Sequence, residues 1–122
     1  MKHLFIINPE AGKGKALGYI EIIHRVFENI KEPYFIEITK YPGHATEIVQ
    51  KYSLKGEYRV YSIGGDGTLN EVLNGVVGTK STLAIVPAGS GNDFIKNITS
   101  TKDEDLLYRT VTGEEKYIDL GR

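Results

Sequence analysis

The chain contains no cysteine, which excludes disulfides and thiolate metal sites, and its three histidines, His3, His24 and His44, have no zinc-ligand spacing. No apolar run approaches the roughly 20 residues that span a bilayer, and no secretory signal pattern is visible. Fifteen basic residues against sixteen acidic ones leave a net charge of -1, so nothing drives binding to a nucleic-acid backbone. Nucleic acid is therefore not an expected partner, and the expected compartment is cytoplasmic. Neither "GKG" nor "GKA", around Lys13 and Lys15, sets a Ser or Thr beside the lysine, so there is no Walker A loop. Internal repeats, linkers and low-complexity tracts are absent as well.

What is present is enough for one globular domain. With 40% hydrophobic and 25% charged residues in 122, the chain is long enough to bury roughly two-thirds of its unfolded surface. Short β-branched and aromatic runs predict four strands: "HLFIIN" (His3 to Asn8), "YFIEIT" (Tyr34 to Thr39), "YRVYSI" (Tyr58 to Ile63) and "TLAIVP" (Thr82 to Pro87). Between them, Leu17, Ile20, Ile23, Val26, Phe27 and Ile30 recur at three- and four-residue steps, which predicts a helix from Lys15 to Ile30. "HATEIVQKYS" and "TLNEVLNGVV" predict two more helices. Asp93 to Ile98 and Asp105 to Val111 read as short helices, and "KYIDLG" reads as a last strand. Strands alternating with helices predict an α/β fold, a three-layer, doubly wound, mainly parallel sheet with helices on both faces.

In such a sheet ligands sit beyond the carboxyl ends of the strands. The unusual residues fall there: "NPEAGKGKA" after the first strand, Thr39 and "YPGHA" after the second, "GGDGT" after the third and "PAGSGND" after the fourth. Glycine-rich segments that open helices present backbone N–H groups and the positive end of the helix dipole, a combination that favours phosphate. An aspartate among them, Asp66, fits a Mg²⁺ linked through one carboxylate and phosphate oxygens, or an acid–base role.

Plainer roles compete at several of these positions. Thr68 and Glu71 have the T-x-x-E spacing of a capping box, which weighs evenly against ligand contact. Asp93 reads first as a helix N-cap, His44 as a polar first-turn residue, and Lys13 and Lys15 as solvated charges. Gly12, Gly14 and Gly18 imitate a dinucleotide fingerprint. They stand too far from the strand end to form its tight turn.

Taken together and in order, "INPEAGKGKA", "TKYPGHATEI", "GGDGTLNEVLNG" and "PAGSGNDF" resemble the catalytic domain of the diacylglycerol kinase family, which includes soluble bacterial lipid kinases and sphingosine kinases. The resemblance spans Ile7 to Gly121. It implies that residues 1–122 are an amino-terminal ATP-binding domain, that a β-rich domain follows, and that ATP, Mg²⁺ and a lipid are the substrates and cofactor. It also implies peripheral membrane contact through that further domain. Carried across, nucleotide contacts fall on Asn8, Pro9, Glu10, Ala11 and Gly12, on Thr39, on Gly65, Asp66, Gly67, Thr68, Leu69, Asn70 and Glu71, and on Ser90. Asp66 matches the family's essential aspartate and Asp119 a second acidic position of the active site. Ala11 stands where the family usually has serine, Ser90 where threonine is common, and Lys96 where arginine is frequent. Diacylglycerol is the expected acceptor. Sphingosine, NAD, and a nucleotide-binding module without turnover are the alternatives.

Overall fold

Every residue from His3 to Ile7 is buried, and so are five of the six in "YRVYSI". Such unbroken burial, without apolar–polar alternation, is what strands covered on both faces require. The computed structural model of the chain describes residues 1–85 together with Leu107 and Val111. Four strands, β1 (Lys2–Ile7), β2 (Tyr34–Ile38), β3 (Tyr58–Ile63) and β4 (Thr82–Ile85), form a sheet of order β2-β1-β3-β4. All three pairings are parallel. Three α-helices connect them: α1 (Tyr19–Phe27), α2 (His44–Ser53) and α3 (Asp66–Val76).

Side chains alternate across β1 and divide the core in two. Phe5 and Ile7 join Tyr61 and Ile63 under α1, with Tyr19, Ile22, Ile23, Val26 and Phe27 closing that layer and the helical residues Leu107 and Val111 packed with it. Leu4 and Ile6 face the other way, where Val60 and Leu83 meet Ala45, Ile48 and Val49 of α2 and Val72 and Val76 of α3. This is the three-layer α/β architecture expected. Among the described residues no helix is long and apolar enough to cross a membrane.

The first helix departs from its expected span. Residues Ala11–Gly18 form a 3-10 segment, and the α-helix begins only at Tyr19. Gly14, at φ +92°, cannot continue a right-handed α-helix, and three glycines in eight residues weaken helix formation there. The tighter winding turns Leu17 off the apolar stripe and leaves it 39% exposed. Helix α3 departs too, starting two residues before Thr68.

Two contacts fix how the layers sit. Gly75 on α3 lies so close to α2 that a Cβ there would stand 2.7 Å from Val49 Cβ and 3.1 Å from the Thr46 carbonyl oxygen. At the amino-terminal edge of the sheet, buried His3 bonds through Nδ1 to the Tyr61 hydroxyl at 2.7 Å and through Nε2 to Glu32 Oε1 at 2.6 Å. An ionised Glu32 can only accept, so Nε2 carries the proton and Nδ1 accepts from Tyr61. Burial holds the His3 imidazole below its ordinary 6.5, against the pull of Glu32. The Glu32 carboxyl is held below 4.5, chiefly by the hydrogen bond from His3.

Candidate functional site

The parallel sheet sets the carboxyl ends of β1, β2 and β3 side by side. The Thr39 amide donates to the Ile7 carbonyl at 2.9 Å and the Asn8 amide to the Ile63 carbonyl at 3.0 Å, so all three following loops leave at one level. They enclose a cleft of about 300 Å³ lined by Asn8, Pro9 and Glu10, by Thr39, Lys40, Tyr41 and Pro42, and by Gly67, Thr68 and Glu71. Seven of the ten are residues singled out in the sequence. A larger depression of about 1020 Å³ lies at the opposite sheet edge, and none of those residues borders it.

The β1 loop is shaped by Asn8. Its Oδ1 accepts the Glu10 amide at 3.0 Å and its carbonyl accepts the Ala11 amide at 3.1 Å, which bends the chain into the 3-10 segment holding Gly12. Ala11 is half-buried against the core beneath α1. Thr39 extends the sheet ladder while its hydroxyl makes a long 3.4 Å contact with the Ile7 carbonyl.

The three glycines around Asp66 do different work. A Cβ on Gly64 would lie 2.6 Å from Thr68 Oγ1 and 2.9 Å from Thr68 Cβ, so this glycine makes room for the protein's own buried threonine. Around Gly65 and Gly67 a Cβ would meet nothing within 4 Å. Neither has positive φ, so neither backbone conformation nor packing among the described residues requires glycine there. The space they leave lies directly over the start of α3.

Helix α3 begins with Gly65 in extended conformation (φ -90°, ψ -166°) and has no side-chain cap. Its first intrahelical bond is Leu69 N–H to the Gly65 carbonyl at 3.1 Å. The amides of Asp66, Gly67 and Thr68 therefore have no acceptor within the helix. Asp66 is exposed, and no hydrogen bond or ion pair to its carboxylate occurs among the described residues. Asn70 is exposed as well, one turn along, whereas Leu69 packs against the core beneath α2 and α3. Its side chain does not serve the cleft. Among the described residues no three His, Cys, Asp or Glu side chains converge as a metal-ligand set.

The capping-box reading of Thr68 and Glu71 is overturned. With the helix starting at Asp66, Thr68 is its third residue and cannot cap it. Glu71 instead reaches across to α2, where its Oε2 accepts the Gly43 amide at 3.0 Å and its Oε1 the Ala45 amide at 3.3 Å. Thr46 Oγ1 donates back to the Glu71 carbonyl at 2.6 Å. Gly43, at φ +87°, gives the sharp entry that aims those amides at the carboxylate. His44 has the polar first-turn role expected, its Nδ1 accepting the Lys40 amide at 2.9 Å.

Tyr41 and Pro42, which the sequence places in the "YPGHA" loop at the ligand edge without an individual role, line the cleft. Their position directly after Thr39, at a strand's carboxyl end, was the available signal. The fourth loop, with Ser90, Asp93 and Lys96, lies outside the described residues, as do Asp119, the predicted 93–98 helix and the last strand.

Residues 2–122 match the family described as diacylglycerol kinase catalytic domain. The chain is 29% identical over 122 residues to the diacylglycerol kinase of Bacillus subtilis, covering 96% of this chain and 40% of that one. It is 35% identical over 105 residues to sphingosine kinase 1 of Arabidopsis thaliana, covering 80% and 22%. A crystal structure of a diacylglycerol kinase from Bacillus anthracis superposes with a TM-score of 0.61 at 31% identity, over 93% of this chain and 42% of that one. The chain thus spans about two-fifths or less of the relatives it matches.

Proposed function

Since the chain belongs to the diacylglycerol kinase catalytic domain family, we propose that the protein passes the γ-phosphoryl group of ATP to a lipid hydroxyl, with diacylglycerol as acceptor. The observation that carries this reading is the uncapped start of α3 beneath two glycines whose missing side chains leave open space. Three amides without intrahelical acceptors and the positive end of a helix suit phosphate oxygens. Bare Gly65 and Gly67 let those oxygens approach the backbone, and Asn8, Pro9 and Glu10 line the same cleft as Gly67.

Phosphoryl transfer of this kind depends on positioning and charge neutralisation more than on a covalent nucleophile. Mg²⁺, when bound, supplies part of that neutralisation. A lone exposed carboxylate such as Asp66 fits it, because Mg²⁺ keeps several waters and takes one or two protein carboxylates beside phosphate oxygens. Asp66 would hold the ion through water or accept the proton of the attacking hydroxyl. By the family resemblance Ser90 and Asp119 join the same site. The lipid is reached at the membrane surface.

Purified protein given labelled ATP, Mg²⁺ and mixed micelles of diacylglycerol should yield labelled phosphatidic acid. Labelled product from sphingosine micelles alone would redirect the acceptor, a reading that the similarity to a sphingosine kinase supports. ATP binding by calorimetry with no lipid product from either would leave a nucleotide-binding module and remove the enzymatic reading.

A further inference from the structure

The lining of the cleft combines two unlike kinds of group. Gly67 and Thr68, from the first turn of α3 with its free amides, contribute one kind; Tyr41, an aromatic side chain 49% exposed, contributes the other. An exposed tyrosine ordinarily moves among rotamers, but this one has its ring fixed at two points and its backbone at a third. One ring face stacks on the His44 imidazole, centroids 4.4 Å apart and planes 19° from parallel. Its hydroxyl donates to Glu47 Oε1 at 2.7 Å, and its carbonyl accepts the His44 amide at 3.1 Å. His44 is itself held by the Lys40 amide. The loop beneath is anchored in turn by the two amides that Glu71 accepts.

A ring stacked on one face, half exposed beside the cleft and already immobile loses little entropy when a second flat group lies against it. The rest of the lining is polar or glycine apart from Pro9 and Pro42, which does not suit an acyl chain. A volume of about 300 Å³ is at the small end of ligand sites and fits a compact polar molecule. We propose that the ring face of Tyr41 turned away from His44 is the platform on which the purine base of the bound nucleotide stacks, with the phosphates directed toward the start of α3. This rests on the nucleotide reading of the cleft and adds to it a residue that discriminates a nucleotide from a bare polyphosphate.

The test compares ATP with inorganic tripolyphosphate by calorimetry, in the presence of Mg²⁺. Tyr41→Ala should weaken ATP binding about tenfold, the scale of one base–aromatic stack, and leave tripolyphosphate binding unchanged. Tyr41→Phe keeps the ring and should restore ATP affinity. Because the 122 residues contain no tryptophan, Tyr41→Trp also introduces a lone reporter, whose emission ATP should quench and tripolyphosphate should not. Equal weakening of both ligands in Tyr41→Ala would mean a distorted loop and would overturn the assignment. So would unchanged ATP affinity, or a reporter indifferent to ATP. Should the unmodified protein bind tripolyphosphate and ATP equally well, the base makes no contact and Tyr41 has no such role; should it bind neither, the nucleotide reading itself falls.

Discussion

Helices α2 and α3 start at the same edge of the sheet, a few residues past the ends of β2 and β3, and their first turns are finished in opposite ways. At α2 the protein supplies its own anion: Glu71 accepts the Gly43 and Ala45 amides, and the Tyr41 carbonyl takes that of His44. At α3 no side chain caps the helix, and the space above Gly65 and Gly67 is open. Two neighbouring helix starts share dipole and amide geometry, yet only one is left for something else to complete. Glycine content does not separate them, since Gly43 and Gly64 serve backbone entry and packing. The difference lies in whether a carboxylate from a neighbouring element arrives.

The largest effect that would sharpen this contrast is at Asp66. Asp66→Asn should lower phosphoryl transfer by more than about 100-fold, the scale of losing a positioned acid–base or metal-organising group, with ATP affinity falling far less. Steady-state kinetics beside calorimetry would check it, and near-normal turnover would remove Asp66 from the chemistry. Next come the glycines, where stability and binding should part company. Gly67→Ala places a methyl in open space within a helix and should stabilise the fold by about 0.5–1 kcal/mol while weakening ATP binding. Gly64→Ala pushes on buried Thr68 and should destabilise by about 1–3 kcal/mol in urea. A Gly67→Ala protein that is less stable yet binds normally would break the comparison.

Glu71→Ala frees the Gly43 and Ala45 amides at the start of α2 and should cost about 1–2 kcal/mol in urea unfolding, the range of a lost helix cap. Hydrogen exchange should show the Gly43 and Ala45 amides losing protection while that of Leu69 keeps it. The smallest effect belongs to the other edge of the sheet, where His3 is satisfied from both sides. Its folded-state value is depressed, so as pH falls below about 6.5 the unfolded chain takes up a proton that the native one resists, and stability declines. The depressed Glu32 adds a loss in the same direction as pH falls through and below 4.5. Melting temperatures between pH 7.5 and 5 should fall in the unmodified protein and flatten in His3→Gln.

The alternation of strands and helices was legible because both core faces require it: β1 and β3 read as short β-branched and aromatic runs, and α2 matches its predicted span. The three loops converged on one edge because parallel crossovers leave no other arrangement. The α1 start was not legible, since apolar spacing does not register the left-handed Gly14. The capping box misled for a related reason. A three-residue spacing is local information, whereas the partner of Glu71 is 26 and 28 residues away in sequence. The loop of Tyr41 was placed at the ligand edge, but no role for its ring was legible, because its rigidity comes from contacts with His44 and Glu47 that exist only once the chain is folded.

The notch at Gly75 reaches further than its own contact. Position 75 is about two and a half turns along α3 from Asp66 and borders no part of the cleft, yet it sets how deeply α3 settles against α2. The aromatic wall rides on one of those helices and the amide wall on the other. A methyl group at this remote seam would displace the two walls relative to each other, so the spacing available to a ligand is gauged by a residue the ligand never meets.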